Sequence, residues 1–226
     1  MPAIDKIPSG TNLPKRATAA IIGGGIIGVA TALELAERGL DVVLFEKGEI
    51  AAEQSSRNWG WCRQMGRDAR EIPLIFESLK LWRGMNERLG ADTSFTQCGI
   101  VYLCETDAQL AAKEKWYAEN AKPFGLNTKL ISGAEAENLM PGASRQWRGA
   151  LYTSADGRAE PFIAVPAMAL VAPQGCKNFH QLRRAWTRIA NRPRLRCCHR
   201  TRHCRLRYGG ARRWRLVAPL LPQYRN

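Results

Sequence analysis

The last 66 residues of this 226-residue chain contain no aspartate and no glutamate. The same stretch, Pro161–Asn226, carries 15 lysines and arginines, which is more than the net charge of +14 of the whole chain. The preceding 160 residues hold 19 basic and 20 acidic side chains and are close to neutral. The sequence pI of about 9.9 therefore describes neither part, and it does not by itself indicate nucleic-acid binding.

Histidine and regularly spaced cysteine are missing before this stretch. All three histidines and four of the seven cysteines lie in the basic tail. An odd number of cysteines without regular spacing does not indicate a secreted disulfide framework. In the tail, Cys197, Cys198 and His199 are directly adjacent. A zinc site needs spaced pairs of ligands. We therefore predict no metal site.

The chain also lacks an uninterrupted apolar segment that could span a bilayer. Residues Ala17–Leu33 are uncharged, but three consecutive glycines interrupt them, and Glu34 and Glu37 follow in helical phase. The sequence thus predicts no transmembrane segment. We expect a cytoplasmic location, either free or peripheral at the inner face of the membrane.

A β-α-β unit is predicted near the N-terminus. Thr18–Ile22 is a short apolar run typical of a buried parallel strand. Ile26–Arg38 has the apolar spacing of a helix, which Gly39 ends. Val42–Phe45 is a second apolar run. The pattern predicts an α/β fold with a Rossmann-type βαβ core.

The segment Gly23–Gly28 reads GGGIIG and fits the pattern G-x-G-x-x-G between the predicted strand and helix. Gly23 permits the tight turn, Gly25 lets a pyrophosphate approach the backbone, and Gly28 lets the helix pack closely on the sheet. The helix N-terminus favours phosphate. Glu46, at the end of the second strand, can accept hydrogen bonds from ribose hydroxyls and would repel a 2′-phosphate. The pattern favours FAD or NAD over NADP.

The rest of the first 168 residues predicts further helices and strands. One amphipathic helix is expected over Asp68–Leu89 with Pro73 in its first turn. Ser94–Cys104 and Leu151–Thr153 read as strands. Two helix starts have the spacing of a capping box, at Thr106 with Gln109 and at Ser132 with Glu135. After about Met168 the periodicity fades, and the tail is expected to be irregular.

Together these segments resemble the D-amino-acid oxidase/dehydrogenase-like family of FAD-dependent oxidoreductases, which includes glycine oxidase, sarcosine oxidase and D-amino-acid dehydrogenase. The resemblance covers about residues 19–168. Its motifs are AAIIGGGIIGVATALELAERGLDVVLFEKGE, EQSSRNWG, CGIVYLCET, LISGAEAENLMPG and YTSADGRAEP. It implies an FAD cofactor and hydride transfer to the flavin from the carbon next to the nitrogen of an amino acid or secondary amine. Oxygen or a quinone chain would reoxidise the flavin, and nucleic acid would not be a partner.

The resemblance also implies which residues contact the cofactor. The loop after the second strand matches the family's segment along the flavin, so Ser55, Ser56 and Asn58 are expected to contact flavin or pyrophosphate; a solvated polar loop is the alternative. Trp59 and Trp61 either wall a pocket or belong to the core, and Cys62 is expected to be a small buried side chain rather than a redox thiol. No catalytic residue is identified. The expected cofactor-binding set is Gly23, Gly24, Gly25, Ile27, Gly28, Glu46, Lys47, Ser55, Ser56 and Asn58.

We expect five segments along the chain. They are a loose arm at 1–15, the first part of an FAD-binding domain at 16–92, part of a substrate domain at 93–153, a return to the FAD domain at 154–168, and the tail at 169–226.

The tail departs from the family pattern, which continues with a strand starting Gly-Ala and a later strand ending Val-Val-x-Ala-x-Gly-x-Trp-Ser. Reading the codons of 175–179 one nucleotide later permits Gly-Ala-Lys-Ile. The same shift over 208–218 permits Thr-Val-Val-x-Ala-Gly-Gly-Ala-Trp-Ser. We therefore hypothesise that a single frameshift near residues 169–174 produced the tail and truncated the family's sequence.

Because the missing strands would complete the sheet under the cofactor, we expect this chain to bind FAD poorly or not at all and to be inactive. Two alternatives belong to other classes. One is a dinucleotide-binding module that uses NAD, and the other is a non-catalytic chain whose basic tail binds nucleic acid.

Overall fold

A computed structural model describes Ile7, Pro14, residues 17–143 and 146–171, and the backbone of residues 180–181, 204–208 and 212–217. The expected N-terminal arm lies almost wholly outside the described residues. The strands are β1 (Ala19–Ile22), β2 (Val42–Glu46), β3 (Trp61–Cys62), β4 (Ile100–Cys104), β5 (Thr128–Ser132), β6 (Gly149–Thr153), β7 (Gly157–Arg158), β8 (His180–Gln181), β9 (Cys204–Tyr208) and β10 (Arg212–Val217). The α-helices are α1 (Ile26–Glu37), α2 (Ile72–Arg83), α3 (Met85–Leu89), α4 (Asp107–Trp116), α5 (Gly133–Leu139) and α6 (Pro161–Val171).

The chain forms two compact units. The first unit comprises Met1–Asn58, Leu89–Thr93 and Pro161–Asn226. The second unit comprises Trp59–Arg88 and Ser94–Glu160. The chain therefore leaves the first unit after the predicted cofactor loop, returns to it briefly at Leu89–Thr93 and returns again at the start of α6.

The first unit is built on a five-stranded sheet with the order β8-β2-β1-β10-β9. β1 and β2 run parallel, with Ala19 opposite Val42 and Ile22 opposite Phe45. The apolar centres of both strands are fully buried, and α1 packs against α6. Strands buried on both faces need continuous apolar runs, and AAII and VVLF supply them.

The predicted βαβ unit is confirmed to within one residue at each boundary. α1 ends at Glu37, and Gly39 follows with a φ of 76°. Glycine adopts this left-handed conformation without a steric penalty, and the Gly39 N–H donates to the carbonyl of Ala36 at 2.9 Å. The chain can then turn directly into β2.

The expectation of a wholly irregular tail is wrong for three segments. β10 lies parallel to β1, pairing Ala20 with Leu216, and β9 lies antiparallel to β10. β8 pairs with β2 on the other side of the sheet. An unpaired strand edge offers backbone donors and acceptors to any extended segment, so side-chain periodicity does not reveal this pairing.

The second unit contains an antiparallel sheet with the order β4-β6-β5. β6 is central, and its Thr153 pairs with Ile100 on one side and Thr128 on the other. The hydroxyls of Thr128 and Thr153 are buried and lie 2.7 Å apart. Both predicted capping boxes are confirmed, at the start of α4 and at the start of α5.

Several boundaries in the second unit differ from those predicted. The helix expected over 68–89 is divided at Gly84 into α2 and α3, and Pro73 does lie in the first turn of α2. β4 begins at Ile100 rather than at Ser94, because Ser94 has a φ of 53° and Gly99 a φ of 71°, which interrupt an extended strand. β5 had not been predicted.

Residues 59–88 lie in the second unit. β3 pairs with β7 in antiparallel register. Ile72 of α2 is fully buried in a cluster with Ala121 and Leu126. These contacts attach the segment to the second unit near its start and at its middle. The assignment of the two units as FAD-binding and substrate domains stays a prediction.

Candidate functional site

The glycine-rich turn joins β1 to α1 in the first unit. Gly23 has a φ of 104°, which only glycine adopts readily, and its N–H donates to the carbonyl of Phe45 at 2.7 Å. A Cβ on Gly28 would overlap the carbonyl oxygen of Gly23. A Cβ on Gly25 would lie 3.0 Å from the Ser55 hydroxyl oxygen. The turn therefore depends on the absence of side chains at the predicted glycine positions.

Gly24 is held from two sides. Its N–H donates to Glu46 Oε2 at 2.6 Å, and its carbonyl accepts from the N–H of Ala51 at 2.9 Å. A Cβ on Gly24 would lie 2.5 Å from Ile50 Cδ1. Ala51 adopts a φ of 64° to reach this position. Nothing in the sequence pattern distinguishes Ala51 from its alanine neighbour, and sequence reasoning missed it.

Glu46 accepts two backbone hydrogen bonds at the carboxyl end of β2. Its Oε1 accepts from the N–H of Gly48 at 2.8 Å, in addition to the bond from Gly24. The structure thus places Glu46 beside the glycine-rich turn, as predicted. Each carboxylate oxygen has two lone pairs, so both amide bonds leave acceptor capacity for ribose hydroxyls.

Ser55 reaches the start of α1. Its hydroxyl oxygen accepts the N–H of Ile26 at 2.8 Å, which satisfies one of the amides left without a carbonyl partner at a helix N-terminus. Glu46 and Ser55 thus bond the glycine-rich turn at amides two residues apart, those of Gly24 and Ile26. They form one cluster with Gly23–Gly28, as the expected site requires.

The other expected residues of the loop are less central. Ser56 is buried, and its hydroxyl donates to the carbonyl of Glu53 at 3.2 Å. The Asn58 amide donates to the carbonyls of Gln54 and Ser55 and is exposed. Lys47 is exposed and forms an ion pair of 3.3 Å with Glu53. All three hold the loop in this structure, and a role in cofactor contact stays a prediction.

Ile27 lies in the first turn of α1 and is 59% exposed. Its carbonyl accepts from the Thr31 hydroxyl at 2.6 Å. Its side chain does not contribute to the core. The expected contribution of this position is its backbone at the helix N-terminus, where the helix dipole attracts anions.

The residues present fit the adenosine-diphosphate part of a dinucleotide. The turn has no side chain at three close positions, it opens into a helix N-terminus, and a carboxylate lies beside it. These features match what a pyrophosphate and a ribose require.

The aromatic residues after the loop belong to the second unit. Trp59 is 86% and Trp61 48% exposed, so neither is a core residue. The Arg63 guanidinium lies over the rings of Trp61 and Tyr102, at 5.5 and 5.6 Å from their centroids. The exposure of both tryptophans excludes the core interpretation. That they wall a pocket stays a prediction.

Cys62 is half-buried. Burial, with the charge of Asp156 as a smaller cause, raises the pKa of the Cys62 thiol to about 12. The thiolate is the reactive form, so this cysteine is unreactive at neutral pH. The geometry supports the expected inert thiol.

Among the side chains that the structure describes, no group of three or more histidine, cysteine, aspartate or glutamate residues could hold a metal ion. The cysteines and histidines of the tail lie outside the described side chains. Within the same residues, no helix is both long and apolar enough to cross a membrane.

The chain belongs to the DAO family of FAD-dependent oxidoreductases, whose sequence profile matches residues 18–183. It is 28% identical over 161 residues to glycine oxidase from Geobacillus kaustophilus, covering 68% of this chain and 42% of that protein. It is similar to the structure of L-amino acid deaminase from Proteus myxofaciens in complex with anthranilate. That match has a TM-score of 0.73 at 35% identity and covers 78% of this chain and 41% of the other. L-proline dehydrogenase from P. horikoshii matches with a TM-score of 0.67 at 32% identity, over 75% of this chain and 45% of the other.

The chain spans less than half the length of each of these relatives. The match begins at the glycine-rich turn and its strand. The family resemblance noted from the motifs is therefore confirmed, and so is the α/β fold class.

Proposed function

We propose that these 226 residues are part of an FAD-dependent oxidoreductase that oxidises the C–N bond of an amino acid or secondary amine. The observation that carries the proposal is the Glu46 carboxylate, which bonds the Gly24 amide at the turn between β1 and α1. An acid at this position beside a G-x-G-x-x-G turn suits the adenosine ribose of FAD. The relatives named glycine oxidase, L-amino acid deaminase and L-proline dehydrogenase support an amine-bearing substrate.

The first unit would hold the adenosine-diphosphate half of the cofactor. The amides at the start of α1 would bind the pyrophosphate, and Ser55, which already bonds the Ile26 amide, would shape the same cradle. Glu46 would accept the ribose hydroxyls. When bound, the flavin supplies the acceptor for the hydride from the carbon next to nitrogen. Oxygen or a quinone chain is the proposed final electron acceptor.

The second unit is the proposed substrate domain. The proposed location of the protein is the cytoplasm, either free or at the inner face of the membrane. A carboxylate-bearing amine and a secondary amine both suit the names of the relatives. We name no catalytic residue, because the described residues show no general base beside a defined substrate position.

Flavin absorbance of the purified 226-residue chain tests the cofactor. We expect less than stoichiometric FAD and no turnover, with any bound flavin lost in the Gly25→Leu variant, whose side chain would fill the cradle. The Gly84→Leu variant is the control, because Gly84 ends α2 in the second unit and nothing lies within 4 Å of a Cβ added there. A purified chain that carries stoichiometric FAD and oxidises D-amino acids would contradict the expected weak binding.

The same preparation distinguishes the NAD alternative, because Glu46 suits either cofactor. Retention of NAD without FAD would favour a dinucleotide-binding module over a flavoenzyme. Salt-sensitive retention of nucleic acid that disappears on deletion of residues 169–226 would favour the basic-tail alternative.

A further inference from the structure

A fully buried carboxylate in the second unit binds two consecutive backbone amides. Asp156 has no exposed surface, and its Oδ1 accepts the N–H of Gln64 at 2.8 Å. Its Oδ2 accepts the N–H of Met65 at 3.2 Å. Asp156 thus connects the loop before β7 to the segment after β3, which lies 91 to 92 residues earlier in the chain.

The position is unfavourable for a charge. Burial raises the pKa of Asp156, and the hydrogen bonds from the two amides and the charges of Arg63 and Arg83 only partly oppose this. An asparagine of the same size would avoid the desolvation of a charge, but its side chain has one acceptor and its NH₂ group would face an amide donor. Two adjacent donors require two acceptors, and a carboxylate supplies both.

Met65 passes this constraint on to a cation through its backbone. Its N–H is held by Asp156, and its carbonyl accepts a hydrogen bond from Arg63 Nη1. The same guanidinium lies over the rings of Trp61 and Tyr102. The backbone conformation at Met65 therefore determines where the Arg63 guanidinium can bond and stack.

The surface that results is exposed and combines rings with cations. Trp59 lies 6.2 Å from Trp61 between ring centroids, and both are largely exposed. The Lys113 ammonium lies 4.7 Å from the centroid of Tyr102. Cations over aromatic faces are stabilised by the ring quadrupole.

We propose that Asp156 is a positioning residue, which holds the backbone at Met65 and through the Met65 carbonyl keeps Arg63 over the rings of Trp61 and Tyr102 on the substrate side of the enzyme. The term substrate side rests on the proposed function. The positioning itself depends only on contacts within the second unit. The positioning can therefore be tested without flavin and without turnover.

The contact between Arg63 and the Trp61 ring can be followed by the indole N–H resonance of Trp61 in the ¹⁵N-labelled full chain. The Trp61→Phe variant assigns this resonance. We expect Asp156→Asn to shift this resonance and to speed hydrogen exchange of the Gln64 and Met65 amides by roughly tenfold or more. Arg63→Met should shift the resonance as well. In the double variant, Asp156→Asn should add no further shift, because it acts through Arg63.

Thr153→Val is the matched control. It removes a buried hydrogen bond of the same unit, that between Thr128 and Thr153, and should lower stability without moving the Trp61 resonance. An unchanged Trp61 resonance in Asp156→Asn, or a shift that adds in full to that of Arg63→Met, would overturn the proposal.

If Asp156→Asn does not fold, the unmutated chain gives the same information by titration. The groups that face Asp156 are Cys62 of β3, Arg63 directly after it and Arg83 of α2, and none of these changes charge in mild acid. The Trp61 resonance should follow the protonation of Asp156 and lose this dependence in Arg63→Met. A dependence that persists in Arg63→Met would overturn the proposal. Retention of NAD without FAD by the same chain would contradict the proposed function alone.

Discussion

The Glu46 carboxylate and the Gly24 amide, 22 residues apart in sequence, meet at 2.6 Å and tie the end of β2 to the glycine-rich turn. Glu46 Oε1 also accepts the Gly48 amide, so each carboxylate oxygen accepts one backbone hydrogen bond within the chain. Glu46→Gln places an amide NH₂ against one of the two donors. We expect a loss of about 1–3 kcal/mol in the free energy of unfolding, measured by urea denaturation.

Glu77→Gln is the control for this change. Glu77 pairs with Lys80 on the surface of α2, and such exposed pairs contribute little, typically less than about 1 kcal/mol. Equal losses in both variants would mean that Glu46 does not hold the turn. A larger loss in Glu46→Gln, together with weaker retention of FAD, is the expected result.

The second prediction concerns the packing of α1 against the turn. Gly28→Ala brings a methyl group onto the Gly23 carbonyl, so the helix must move away from the sheet. We expect a destabilisation of roughly 1–3 kcal/mol or a failure to fold. Gly84→Ala, where nothing lies within 4 Å of the new Cβ and φ is −93°, should be tolerated. Comparable melting temperatures for the two variants would contradict the proposed role of Gly28.

The contrast between these glycines shows what the sequence could and could not predict. Gly23, Gly25 and Gly28 recur at a spacing that only one turn geometry requires, so their positions and that of Glu46 were predictable from local pattern. Asp156 has no such pattern, because its partners Gln64 and Met65 lie about 90 residues away and bond through backbone atoms. Every residue except proline has a backbone N–H, so residue type does not indicate which amide will be a partner. Contacts of this kind can be seen only in the folded structure.

The same distinction explains the errors in secondary structure. The capping boxes at Thr106 and Ser132 are local, and both were predicted correctly. β10 forms because β1 offers an unpaired edge, which its own sequence does not reveal. The break at Gly84 was missed because the apolar spacing continues across it from α2 into α3.

The third prediction concerns thiol reactivity. Because burial raises the pKa of Cys62 to about 12, only about one molecule in ten thousand carries its thiolate at pH 8. Cys98 is exposed. Iodoacetamide labelling followed by peptide mass spectrometry should modify Cys98 far faster than Cys62, and labelling of Cys62 should accelerate only in strong alkali. Rapid labelling of Cys62 at pH 8 in the folded chain would contradict its assignment as an inert thiol.

The fourth prediction is a pH dependence of stability due to Asp156. Its pKa is raised in the folded state above the ordinary value of about 3.9, so between these two values the folded chain holds a proton that the unfolded chain has released. The contribution of Asp156 to stability is therefore fully present below pH 3.9 and is lost as pH rises through the raised pKa. Urea denaturation at a series of pH values measures it as the difference between the unmutated chain and Asp156→Asn.

That difference should decline with rising pH and become constant above the raised pKa. Other carboxylates cancel in the comparison, because both proteins contain them. A difference that grows with pH would mean that the hydrogen bonds from Gln64 and Met65 outweigh burial and that the pKa of Asp156 is lowered instead.

The last prediction concerns the reading frame of the gene. β10 lies beside β1 in parallel register, where a strand usually has a continuous apolar sequence, yet its sequence is RRWRLV. Its antiparallel register with β9 pairs Arg213 with Arg207 and Arg215 with Arg205, and like charges directly opposite each other destabilise a strand pair. The sequence of the tail thus conflicts with the place of its strands in the sheet.

A frameshift near residues 169–174 would explain this conflict, because the shifted frame permits Val-Val followed by a small-residue run and Trp-Ser over the codons of 208–217. Reading the DNA in all three frames decides between the possibilities. We expect the shifted frame to encode Gly-Ala-Lys-Ile at 175–178 and the Val-Val segment downstream, without a stop codon between them. An early stop or unrelated codons would mean that the basic tail is the true product and that its strands tolerate paired arginines. If the shifted frame is open, the protein translated from it should retain stoichiometric FAD, whereas the 226-residue chain should not.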